Sequence, residues 1–150
     1  MKQGQPSQTA SMVALLRAFG DLGLSHVSGF RDPTARHMLS PGWAERLART
    51  EAKWKQGKPS MALEAARHGA DMMALRTLVI DEHVHNAVRA GKRQLVILGA
   101  GLDGRPYRMT ELGDVDVFEV DHPATQPFKK QRAADLPRTA KSVVFVEVDF

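Results

Sequence analysis

The chain reads as an α/β protein: a helical N-terminal region, residues 1–91, leads into a strand-rich βαβαβ region, residues 92–150. Three observations carry that reading. Apolar residues before Gly91 recur at helical spacing, whereas after it they gather into three short runs. A glycine-rich turn directly follows the first run, and segments with helical character separate the runs. Strands alternating with helices are the pattern of a parallel sheet with right-handed crossovers.

Met12, Val13, Leu15, Leu16 and Phe19 follow helical spacing, and Gly20 stands where a C-terminal cap belongs. Gly23, Gly29 and Pro33 punctuate an irregular stretch. Ser40-Pro41 reads as an N-cap followed by Pro in the first turn, opening a short helix around Trp43 to Thr50. After the break at Gln56-Gly57-Lys58-Pro59, a helix resumes near Ser60. It is expected to break or bend at Gly69 and to run on to a cap at Gly91. Gln94 to Leu98 suits a strand covered on both faces. The second strand carries Val115, Val117, Phe118 and Val120, and the third Val143 to Val146 with Val148. Helices are expected between them, near Pro106 to Leu112 and Pro123 to Ala134.

The 150 residues form one domain by length and contain no cysteine, which excludes disulfides, a thiolate nucleophile and a Cys-built metal site. Lys plus Arg number 21 against 17 Asp plus Glu, a net charge of +4 that fits an anionic ligand without specifying nucleic acid. No run has the length of a signal or membrane segment, so a cytoplasmic protein is expected.

Gly99-Ala100-Gly101-Leu102-Asp103-Gly104 satisfies G-x-G-x-x-G in the strand-to-helix setting that the motif requires. Glycines there let backbone approach a ligand closely. Glu119 and Asp121 follow at the end of the second strand, on the same side by alternation. Asp121 is nearer the carboxyl end and is the favoured acceptor for the ribose hydroxyls of an adenosine-containing ligand. Asp149 and Phe150, at the end of the third strand, suit an adenine amino group and ring face. Arg76 stands among Met72, Met73, Val79 and Ile80 on a helical face, where it must snorkel to water or meet an anion.

Together these stretches resemble the leucine carboxyl methyltransferase-like family of class I S-adenosylmethionine-dependent methyltransferases, in its bacterial O-methyltransferase branch. The resemblance rests on Phe30-Arg31-Asp32-Pro33, Leu75-Arg76-Thr77 with Ile80-Asp81, Val96 to Arg105, Phe118 to Pro123 and, more weakly, Val146 to Phe150. It implies a helical cap on the first half of a Rossmann-like methyltransferase sheet, with S-adenosyl-L-methionine as cofactor and a small-molecule hydroxyl or carboxylate as acceptor. It further implies that Arg76 meets the methionine carboxylate and that Gly99 and Gly101 pass under the cofactor. Asp121 would take the ribose, and Asp149 with Phe150 the adenine. Gly104 departs from the threonine common in the family, and Phe150 from leucine.

The resemblance ends at Phe150, although family members continue, so it implies an incomplete domain. The first strand would then present an unpaired edge, a template for self-association. Two rival readings are an NAD(P)-dependent oxidoreductase and a non-catalytic remnant that acts by assembly. The helical region and Arg76 weigh against the first. His83 and His85 lack metal-chelating spacing, so no metal is expected. The basic cluster Arg49, Lys53, Trp54, Lys55 and Lys58 reads as a solvated face rather than a nucleic-acid site.

Overall fold

The computed structural model describes residues 6–58 and 60–149; Pro59 and Phe150 therefore lie outside the described residues. Helices α1 (Gln8–Asp21), α2 (Pro41–Lys55) and α3 (Met61–Arg89) precede strands β1 (Gln94–Leu98), β2 (Asp116–Asp121) and β3 (Ser142–Glu147), with α4 (Gln126–Ala133) between the last two.

Ser7 caps α1 by accepting the Ala10 N–H at 3.0 Å, and Ala14, Leu15, Ala18 and Phe19 bury one face. Gly20 is not the cap. The helix runs to Asp21, and the chain turns at Gly23, whose φ of +84° is left-handed. Gly20 is instead a close-approach position: a Cβ there would stand 2.8 Å from the Phe30 ring. α2 starts at Pro41 but extends beyond Thr50 to Lys55, because Trp54 as well as Trp43 packs against the core. Of the basic residues on this helix, Lys55 pairs with Glu51 at 2.7 Å and Arg49 with Glu45 at 3.9 Å, both on the exposed side.

Helix α3 is unbroken for 29 residues, which corrects the bend expected at Gly69. That glycine lets α1 and α3 close up, since a Cβ there would lie 2.7 Å from Leu16 Cδ2. The α1–α3 packing holds the glycine in a helix that its propensity alone disfavours.

The sheet is parallel in order β1-β2-β3, with Leu95 opposite Val117 and Val117 opposite Val143. This is the partial Rossmann-like sheet the sequence predicts. Among the described residues, β1 pairs with β2 alone. Leu95 and Ile97 pack against the second core with Val117 and Leu112, but Val96 and Leu98 are 56% and 72% exposed. The expectation that β1 is covered on both faces is therefore corrected.

The helix expected over Pro106 to Leu112 is two 3₁₀ turns, Arg105–Tyr107 and Thr110–Asp114, with extended Met109 between them. The connection must descend the height of the sheet after spending Gly99 to Gly104 on the turn. A 3₁₀ turn covers about 2.0 Å per residue against about 1.5 Å for α-helix. Extension at Met109 also drops its side chain into the second core, with Leu112 and Val115. Among the described residues, no helix is long and apolar enough to cross a membrane.

Candidate functional site

At the carboxyl end of β1 the backbone turns through Gly99 (φ +61°) and Gly101 (φ +49°), a conformation that excludes most side chains. Several contacts fix this loop. The Ala100 N–H reaches the Val120 carbonyl at 3.1 Å, and the Asp103 N–H closes a turn onto the Ala100 carbonyl at 2.9 Å. The Gly101 N–H donates to the Asp121 carboxylate, which also accepts the His122 N–H at 2.6 Å. Gly104 leaves room for Thr34, whose hydroxyl a Cβ at that position would strike.

A cavity of about 360 Å³ lies over this loop, within the size range of small-molecule sites. Its walls are α1, through Thr9, Val13 and Arg17, and α3, through Met73, Arg76, Thr77 and Ile80. Gly99 to Asp103, Arg105 and Asp121 line the opposite side. Four of the residues anticipated from the sequence, Arg76, Gly99, Gly101 and Asp121, thus share one cavity. The neighbouring arginines are engaged: Arg17 pairs with Asp32 at 2.9 Å, and Arg105 with Asp81 at 2.8 Å and with Asp103. Arg76 is exposed on the cavity wall.

Glu119 and Asp121, on one side of β2 by alternation, have different surroundings. Glu119 is fully buried below the loop, 2.7 Å from the equally buried Lys129 of α4. Burial pushes the Glu119 carboxyl above its ordinary value even against the pull of Lys129, and the Asp103 and Asp121 charges add to the rise. Asp103 goes the other way. Its burial is outweighed by Arg105, then Arg17 and Lys129, and its carboxyl is held below the usual range. Gln126, also buried, donates its amide to the carbonyls of Glu119 (3.0 Å) and Val146 (2.8 Å), tying β2 to β3.

Asp149 does not line the cavity. It is exposed, just past β3, with Oδ1 3.2 Å from His122 Nε2. Phe150 lies outside the described residues. The sequence reading missed Arg17 and Arg105. The signal for Arg17 was of the kind that singled out Arg76: a cation on an apolar helical stripe, four residues after Val13. His85 pairs with Glu111 at 3.4 Å, and among the described residues no group of three or more His, Cys, Asp or Glu could hold a metal ion.

Residues 10–150 match the family described as leucine carboxyl methyltransferase. The chain belongs to that family. Relatives named "Putative S-adenosyl-L-methionine-dependent methyltransferase" include one from Mycolicibacterium paratuberculosis, 40% identical over 73% of this chain and 35% of the relative. Another, from Mycobacterium avium, is 38% identical over 93% of this chain and 45% of its own length. A third, from Mycobacterium marinum, is 32% identical over 93% and 47% respectively. The chain therefore spans between about a third and a half of the length of these relatives. The glycine loop and Asp121 are the elements of this chain that meet in the cavity. The oxidoreductase reading has no counterpart in this membership.

Proposed function

We propose that this chain supplies the cofactor-binding part of an S-adenosyl-L-methionine-dependent O-methyltransferase, with S-adenosyl-L-methionine seated in the cavity above the glycine loop. The observation that carries the reading is the pairing of opposite recognition elements across that cavity. On one side stand an open glycine turn and a carboxylate; on the other stands an arginine left exposed while its neighbours are paired. The residues fit the group. Gly99 has open space where a Cβ would project, so ligand atoms can approach the backbone. Asp121 can accept ribose hydroxyls, Arg76 can meet the amino-acid carboxylate, and Asp149 stands near the strand ends where the adenine belongs.

The cofactor supplies an electrophilic methyl group on a sulfonium. The chain's own contribution is to hold and orient, which is the main catalytic lever in an in-line displacement. Among the described cavity residues the carboxylates are Asp103 and Asp121, and both are engaged by hydrogen bonds or an arginine. Neither is placed as a free base. We further propose that the free β1 edge supports self-association, since an unpaired strand edge with exposed Val96 and Leu98 is a template for pairing. Equilibrium sedimentation tests that part.

The deciding experiment for the cofactor is calorimetric titration of the chain with S-adenosylhomocysteine and, separately, NAD. Binding of the first alone is expected. Uptake of NAD with no response to S-adenosylhomocysteine would overturn the reading.

A further inference from the structure

Three stretches that mark the sequence have no evident place in the cofactor reading: Asp32 in the loop after α1, Asp81 on α3, and the arginines following the glycine loop. The structure joins them in a closed circuit of alternating charge. Arg17 pairs with Asp32 at 2.9 Å, and Arg108 reaches Asp32 at 3.6 Å and Asp81 at 2.7 Å. Asp81 holds Arg105 at 2.8 Å, and Arg105 pairs with Asp103. The circuit returns to its start through the glycine loop, because Arg17 Nη2 donates to the carbonyl of Leu102 at 2.5 Å.

We propose that this circuit, centred on Asp32, positions the glycine loop for its ligand. The inference rests on the cofactor reading above. Asp32 is completely buried and does not line the cavity, so it acts only through its partners. By holding Nη1 of Arg17, Asp32 aims Nη2 at the Leu102 carbonyl and sets that peptide plane. On the loop's other flank Asp103 is held by Arg105, which Asp81 holds in turn. Both flanks are thus fixed by arginines whose own anchors, Asp32 and Asp81, lie outside the cavity lining. A buried ion pair by itself is weak grounds for stability, since desolvation offsets attraction. Here six charged groups from four separate segments converge on one loop, which is the geometry of a support for a binding site. Arg108 is the bridge: both its terminal nitrogens grip Asp81 while Nε lies 3.6 Å from Asp32, a bidentate geometry that a lysine ammonium does not reproduce.

The test uses Asp32→Asn and Arg108→Lys in the full chain, with Asp71→Asn as a control remote from the circuit. S-adenosylhomocysteine affinity is read by calorimetry well below the unfolding transition. Exchange of the Asp103 amide is compared with that of core α3 amides. Asp32→Asn should weaken binding on the order of tenfold and speed Asp103 exchange selectively. Arg108→Lys should weaken it severalfold despite its retained charge. Asp71→Asn should lower the melting temperature without moving either readout. If Asp32→Asn does not fold, Arg108→Lys decides. Wild-type affinity and loop exchange in a folded circuit variant, or an equal loss in Asp71→Asn, overturns the proposal. Should the wild-type chain take up no S-adenosylhomocysteine, the cofactor reading fails, while the exchange comparison still decides whether the circuit holds the loop.

Discussion

The carboxylate of Asp121 accepts the backbone N–H of Gly101, so the end of β2 is bonded directly to the turn that ends β1. The group expected to receive the ribose also shapes the floor beneath it. Hydrogen bonds to charged acceptors contribute about 1.5–3 kcal/mol. Asp121→Ala should therefore weaken S-adenosylhomocysteine binding by roughly tenfold or more. Glu119→Ala, measured in the folded state, should do less. The reverse ranking in a calorimetric series would move the ribose contact to Glu119.

Arg76 gives a second expectation. Arg76→Met should keep the α3 packing yet lose affinity for S-adenosylhomocysteine, while affinity for 5′-methylthioadenosine, which has no amino-acid carboxylate, stays nearly constant. Equal losses for both ligands would make Arg76 a support of the fold.

Among the described residues Lys129 and Glu119 form the most deeply buried ion pair, and removing one partner strands the other. Lys129→Met should cost about 3–5 kcal/mol of stability by urea unfolding. The double variant with Glu119→Leu should recover much of that loss. The Glu119 pKa already lies above its ordinary value because burial dominates. Its contribution is thus fully present below the unfolded value and lost as pH rises through the folded one. Lys129→Met should accordingly lose stability more steeply than wild type as pH rises from the acid range. A parallel pair of pH curves would refute this.

Asp71 supplies a pH effect of opposite sign. Its slight burial raises the carboxyl, but hydrogen bonds from Ser25 and then His26 outweigh this and bring it from 3.8 to about 2. The stability it contributes is present above 3.8 and lost as pH falls through about 2. The His26 side chain is 69% exposed, so after solvent screening its contact with Asp71 is worth only about 0.5–1 kcal/mol. Asp71→Asn should melt slightly below wild type at neutral pH, and the two curves should merge near pH 2.

The strands and the glycine turn were legible because their signals are local. The apolar run of β1 and the turn after it stand side by side in the chain, and the β2 acids follow at the expected remove. What could not be read depends on partners far away in sequence. Gly69 looked like a break because its propensity is poor, and only Leu16 of α1 explains why the helix passes through it. The 3₁₀ descent through Met109 answers to the second core. Within the site, Asp121 could be ranked above Glu119 by strand position, whereas the burial of Glu119 against Lys129 could not. Arg17 was hidden for the same reason: Asp32 and Leu102, which define it, lie 15 and 85 residues away.

The unbroken α3 has a thermodynamic consequence. At 29 residues it extends roughly 43 Å. Leu63 and Ala70 enter the core shared with α1 and α2, while Val84 and Val88 pack against the core beneath the sheet. Between Ala70 and Val84 the same rod leaves one core and enters the other, with no break at which the two could melt in succession. One continuous rod through both makes the loss of either a strain on the other. The chain should therefore unfold in a single calorimetric transition whose van't Hoff and measured enthalpies agree, with Arg76 and Asp81, near the rod's middle, among the last of its residues to fray.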